Sequence, residues 1–286
     1  MRQWLMGWVA GVAIVGSALA AGDGGGHWLH GQQAPAIAGA AAQVAEHAAG
    51  HRLMVLGELH GTAQIPVLAV RLATAYAQQG PLTLALEVPQ GEQPAMDRYL
   101  DSDGGDAAWR ALAGSPFWQV ADDQHDGRRS VQMRQLIEVV RVLRTQDAAV
   151  GVLAYDVDKD AADAHDHHWR DARMATNLRA AALAKPGVLL VLAGNVHAMR
   201  VRPDWAPAEL QLAPMTSRLL DLQPFVVNLT AGEGQFWGCM EGRCRALPAR
   251  TQMTQPLLRF TEPERTYDLM VQLPVLSVAD LVEPQD

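Results

Sequence analysis

The sequence predicts an α/β fold: a central, largely parallel sheet with helices on both faces and extra strands at its C-terminal edge. Three observations predict it. Apolar runs alternate with segments of helical period, the pattern of strand–helix–strand units. The strand candidates LMVLGE, LTLALE, AAVGVLAYD and VLLVLAG are continuous apolar runs, as burial on both faces requires. With 286 residues, 49% of them apolar, the chain can bury a sizeable core.

The elements follow in order. Residues 1–20 read as a signal peptide: Arg2 gives a positive start, Trp4 to Val15 is apolar, and Ala18-Leu19-Ala20 fits a small-x-small cleavage site. An uncleaved N-terminal anchor is the competing reading. Cleavage there leaves no stable membrane insertion and places the chain in the periplasm or outside the cell. Residues 21–34, with the run GDGGG, read as a flexible linker. The remainder, 35–286, reads as a single α/β domain.

Within it, residues 35–49 form an Ala-rich helix, and the run 53–58 is a strand. Residues 64–79 have helical spacing and stop before Gly80-Pro81. Strand 82–87 follows, then a helix at 92–100 and a turn at DSDGGD. SPFWQV, 115–120, is an aromatic loop or a short strand. Residues 130–144 form an amphipathic helix with Ser130 as its N-cap. Strand 148–156 precedes a helix over 160–184, stopped by Lys185-Pro186-Gly187. After the strand VLLVLAG, residues 222–230 and 267–273 read as later strands.

The polar residues at the strand ends carry the functional argument. The first strand ends in Glu58 and His60, the second in Glu87, the third in Asp156 and Asp158, the fourth in Asn195 and His197. Ligands of open α/β sheets bind outside the carboxyl ends of the strands, so parallel strands gather these side chains on one rim. Acids after strands also serve as turn and helix caps. Gly57 and Gly194, ahead of the two histidines, read as residues permitting tight turns. In the helix after the third strand, Arg170, Arg173 and Asn177 share one face at helical spacing. An arginine there can hold a carboxylate by a bidentate contact; a solvated basic face is the other reading. His165, His167 and His168 read as a surface patch at a helix start.

Composition excludes some classes. Lys and Arg number 23 against 31 acids, with a formal charge of −8, so a nucleic-acid partner is not expected. Cys239 and Cys244 are the chain's two cysteines, and a short disulfide loop suits an oxidising compartment. A thiolate metal site competes, but lacks further Cys ligands. There is no H-E-x-x-H, G-x-S-x-G, Walker loop or G-x-G-x-x-G after a strand.

The assembled motifs are G-E-L-H-G at 57–61, Glu87, R-D-x-x-M-A-x-N at 170–177 and G-N-V-H at 194–197. In this order they resemble the superfamily of ChaN-like haem-binding proteins, Tiki-type proteases and erythromycin esterase-like hydrolases. The resemblance implies an α/β fold with its site at the strand ends. Esterase-like members imply catalysis by Glu58, His60, Glu87 and His197 on a small-molecule or peptide substrate. Tiki-type members imply a divalent metal, zinc or manganese, on His60, His197 and Glu58. ChaN-like members imply haem, for which Tyr155 is the suggestive axial ligand beside the histidines. On the residues alone, one imidazole is expected to act as general base toward water, oriented by a glutamate. Arg170, Arg173, Asn177, Asn195 and Asp156 are the candidate substrate contacts.

Overall fold

The structure, a computed structural model, describes residues 33–146, 148–158, 166–207, 212–251 and 253–283. The predicted signal segment, most of the linker and His165 lie outside the described residues. Seven strands make the main sheet: β1 (Leu53–Glu58), β2 (Leu82–Pro89), β3 (Val150–Asp156), β4 (Val188–Gly194), β5 (Phe225–Ala231), β8 (Leu257–Arg259) and β9 (Leu269–Leu273). Their order is β3-β2-β4-β1-β5-β9-β8. Every pairing is parallel except β8 with β9. The fold is therefore the expected one, with the added strands at the C-terminal edge.

The order has a direct consequence. β4 lies between β1 and β2, and β3 lies beyond β2. The four chain segments that end in Asp156, Glu87, Gly194 and Glu58 thus lie side by side and point the same way. Opposite Glu58 in the register is Gly194.

Both faces are covered. On one, α1 (Ala34–His47), α2 (Gln64–Ala77), α3 (Gln93–Leu100), α4 (Asp106–Ala113) and α5 (Val131–Thr145) pack on residues such as Met54, Leu56, Leu84 and Leu190. On the other, α6 (His167–Ala184) and the one-turn α7 (Asn195–Ala198) pack on Val55, Ala85 and Val191. Burial on both sides explains why β1 and β5 are buried at every residue. Ser130 caps α5 as expected, its hydroxyl accepting from the Met133 amide at 3.2 Å. Asp166 caps α6 by accepting from the His168 and Trp169 amides.

β6 (Gln235–Met240) and β7 (Arg243–Pro248) form a separate antiparallel hairpin. Its two-residue turn, Glu241-Gly242, has φ of 54° and 76°, the left-handed pair that matches strand twist. Cys239 and Cys244 lie opposite each other and are disulfide-bonded. SPFWQV forms turns and no strand; Trp118 is buried edge-on against Trp109 and Phe117. Among the described residues no helix is long and apolar enough to cross a membrane.

Candidate active site

The rim of the sheet opens into a cleft of about 620 Å³, a size that suits a small ligand. Glu58, His60, Arg128, Asp156 and Arg170 are among its lining residues. His60 sits between two carboxylates. Its Nδ1 is 2.9 Å from Glu58 Oε1, and its Nε2 is 3.6 Å from Glu87 Oε2.

Glycine makes room for this ring. A Cβ on Gly194 would stand 2.9 Å from His60 Nε2 and 3.4 Å from a His197 ring carbon. A Cβ on Gly57 would press on Ala198 and Asn195 of α7. Both glycines therefore serve close approach, not the tight turns the sequence suggested. The left-handed residue is Gly61, at φ 64°.

Glu87 is buried and fully engaged. Oε2 accepts from the Gly194 amide at 2.7 Å; Oε1 accepts from Arg170 at 2.7 Å and from Arg128 at 3.3 Å. Arg170 also grips Asp156 with two bonds, at 2.8 and 2.7 Å, the bidentate geometry that makes such pairs strong. Arg128 adds contacts to Asp156 and to both Asp126 oxygens. The remaining Arg170 nitrogen donates to His197 Nε2 at 3.0 Å, and His197 Nδ1 meets Asp171 Oδ1 at 2.8 Å. A guanidinium can only donate. Nε2 must therefore carry the lone pair, and Nδ1 carries the proton given to Asp171. Asp171 is itself fully buried and also accepts from the Met215 amide.

These neighbours separate the two glutamates. Burial would raise Glu87, but the charges of His60 and Arg128 and the hydrogen bonds it accepts outweigh it and hold the carboxyl well below its usual range. Glu58 has fewer cations, so burial prevails and raises it. Burial would lower His60; the charges of Glu87 and Asp126 and the bond to Glu58 overcome this and push it up to about 10. These neighbours favour the charged form of His60 at neutral pH.

The structure brings together Glu58, His60, Glu87, His197, Asp156 and Arg170, and Asn195 lines the cleft beside them. It does not bring in three of the expected residues. Arg173 is exposed on the outer side of α6. Asn177 donates to the Tyr155 carbonyl, a tie between helix and strand. Tyr155 is fully buried under α6, its hydroxyl donating to the Leu192 carbonyl at 3.0 Å. It is absent from the cleft lining and cannot present an axial oxygen there. Sequence reasoning missed Arg128, Asp126 and Asp171. Asp171 stands inside the quoted 170–177 motif, so that motif was its signal. Arg128 lies in the loop DGRR, where no periodicity marks it.

The donor set does not match the expected metal either. Nε2 of His197 is covered by a guanidinium, and the His60 ring nitrogens face the carboxylates of Glu58 and Glu87. A divalent ion on His60, His197 and Glu58 would have to displace an arginine bound to two carboxylates. Among the described residues no group of three His, Cys, Asp or Glu is arranged to hold a metal. For haem, each predicted imidazole has both ring nitrogens facing protein partners.

The chain matches no protein-family model and no curated protein. Solved structures share its fold. A variant of the erythromycin esterase EreC in its open conformation aligns with a TM-score of 0.62 and 12% identity, over 85% of this chain and 95% of that one. A Bacillus cereus protein aligns at 0.56 and 10% identity, over 84% and 92%. A succinoglycan biosynthesis protein aligns at 0.56 and 11%, over 84% and 92%. The architecture is shared with these three structures, and at these identities the likeness is one of fold.

Proposed function

We propose that the chain is an exported hydrolase that cleaves small carboxylic esters in the cleft at the C-terminal rim of its sheet. The observation that carries this reading is the His60 ring held between two buried carboxylates, Glu58 at 2.9 Å and Glu87 at 3.6 Å, the first raised and the second lowered by its surroundings. Two carboxyls pushed apart by their surroundings divide the labour of acid–base catalysis.

The electrostatics exchange the roles expected from sequence. A histidine titrating at about 10 holds its proton at neutral pH, so His60 is the acid. Glu58, desolvated and raised, is the base. Water gives a proton to Glu58 as its oxygen bonds to the acyl carbon. The acyl–oxygen bond then breaks, and the leaving oxygen takes the His60 Nε2 proton. Glu87 remains an anion throughout and orients the ring. Arg170 and Arg128 fix Glu87 and Asp156, and Asp171 fixes His197 beneath Arg170. Acid–base assistance of this kind contributes roughly 10²–10⁴-fold. The fold shared with a protein described as an esterase supports the reading. Export rests on the segment 1–20 and on the Cys239–Cys244 bond.

The test is hydrolysis of a panel of small esters by residues 21–286, purified from the periplasm, with His60→Ala and Glu58→Gln alongside. Both variants should lose about two orders of magnitude or more in kcat. Full activity in His60→Ala defeats the mechanism. The wild-type rate should hold through neutrality and fall as pH passes about 10; a rate that climbs up to that pH would instead make His60 the base.

A further inference from the structure

The hairpin β6–β7 belongs to no layer of the sheet, yet it contributes Phe236, Trp237, Gly238 and Cys239 to the cleft lining. Its position is fixed by Trp237. The Trp237 amide donates to the Gly61 carbonyl at 3.0 Å, and the indole N–H donates to the His125 carbonyl at 3.0 Å. The indole also stacks on the His125 ring, with centroids 6.4 Å apart and planes 28° apart.

Two left-handed glycines admit this contact. A Cβ on Gly61 would fall 2.5 Å from the Trp237 carbonyl oxygen and 2.6 Å from its Cβ. A Cβ on Gly127, at φ 89°, would fall 3.0 Å from the same Trp237 Cβ. Gly61 directly follows His60, and Gly127 directly precedes Arg128. The hairpin is therefore locked against the two loops that carry the acid and one of the supporting cations.

Leu59, Phe117, Val120 and Val157 join Phe236 and Trp237 as an apolar part of the lining, beside polar residues that include Gln124, Arg129 and His167. The indole's one donor is already satisfied at His125, so what it offers a ligand is apolar surface. Arg128 and Arg170 are paired with Glu87, Asp126 and Asp156, and Arg129 is paired with Asp122 through one nitrogen.

We propose that the disulfide hairpin is the substrate-body subsite of this cleft, with Trp237 as its specificity-determining residue, and that it selects esters bearing an extended alkyl or aryl group. The inference rests on the hydrolase reading for its reaction but not for its binding. The acyl or alcohol tail lies along Trp237 while the carbonyl meets His60.

The experiment uses the disulfide-bonded chain 21–286 and two probe series of equal chain lengths. One is the p-nitrophenyl esters from acetate to octanoate, read as kcat/KM. The other is the corresponding anilides, which serve as uncleaved ligands and are read as Kd by calorimetry. Each methylene that reaches the subsite should tighten binding about fourfold. The octanoate-to-acetate ratio of kcat/KM should rise in parallel. Trp237→Ala should flatten both dependences, and Trp237→Phe, which keeps an apolar ring, should restore most of the slope. Equal slopes in wild type and Trp237→Ala overturn the proposal. So does a loss in Trp237→Ala that is the same for every chain length, since that marks a structural role. If the anilides show the slope but no ester is cleaved, the hydrolase reading fails while the subsite stands.

Discussion

Raising the pH should discharge His60, and the structure sets the size of the effect. His60 moves from an ordinary value of 6.5 to about 10 in the fold. Burial opposes that rise, and the charges of Glu87 and Asp126 with the Glu58 bond drive it. The group is charged in both folded and unfolded chains below pH 6.5. Above that pH the unfolded chain loses the proton first, so the stabilisation is fully present below 6.5 and disappears as pH rises through about 10. At about 1.4 kcal/mol per pH unit, the interval corresponds to about 5 kcal/mol. The ring is 16% exposed, and water reorganising around the neutral imidazole makes this an upper bound. Urea unfolding at intervals from pH 6 to pH 10 should show wild-type stability falling by between about 2 and 5 kcal/mol more than that of His60→Gln. Carbon-13 NMR of the ring should place the titration itself near 10. A ring that titrates near 6.5, with parallel stability curves for the two proteins, would refute the electrostatic account and with it the assignment of His60 as the acid.

Other perturbations test the supporting residues. Arg170→Met leaves Glu87 and Asp156 short of a buried partner and should cost about 3–5 kcal/mol, read from the urea midpoint; an unchanged midpoint would show the guanidinium to be dispensable. Replacing Cys239 and Cys244 together by Ser should remove about 2 kcal/mol by freeing a short loop. Reductant should bring the wild-type thermal midpoint to that of the double variant and leave the variant where it is. Gly61→Ala forces a left-handed backbone and a clash with Trp237, for a cost of about 1–3 kcal/mol. Its tryptophan emission should shift as the hairpin lifts, and an emission spectrum identical to wild type would argue against the packing described.

The strand interiors are legible in the linear chain, because continuous apolar runs have few other uses in a chain of this charge. So is the fact that Glu58, His60, Glu87, Asp156 and His197 close those strands, which under parallel pairing implies a shared rim. The pairing of Cys239 with Cys244 and the cap at Ser130 are local in the chain, and local features are legible. The other features come from contacts between segments far apart in the chain. The placement of β4 between β1 and β2 is a long-range pairing, and it sets His60 against Glu87 and Gly194. Side chains alternate along a strand, so Tyr155 turns under α6 while its neighbour Asp156 meets the arginines. Arg173 and Arg170 look equivalent at helical spacing, but the docking of α6 exposes one and turns the other into the cleft. Arg128 comes from a loop without pattern. The proposed exchange of roles between His60 and Glu58 depends on burial and on the sum of charges within a few ångströms, which no linear spacing records.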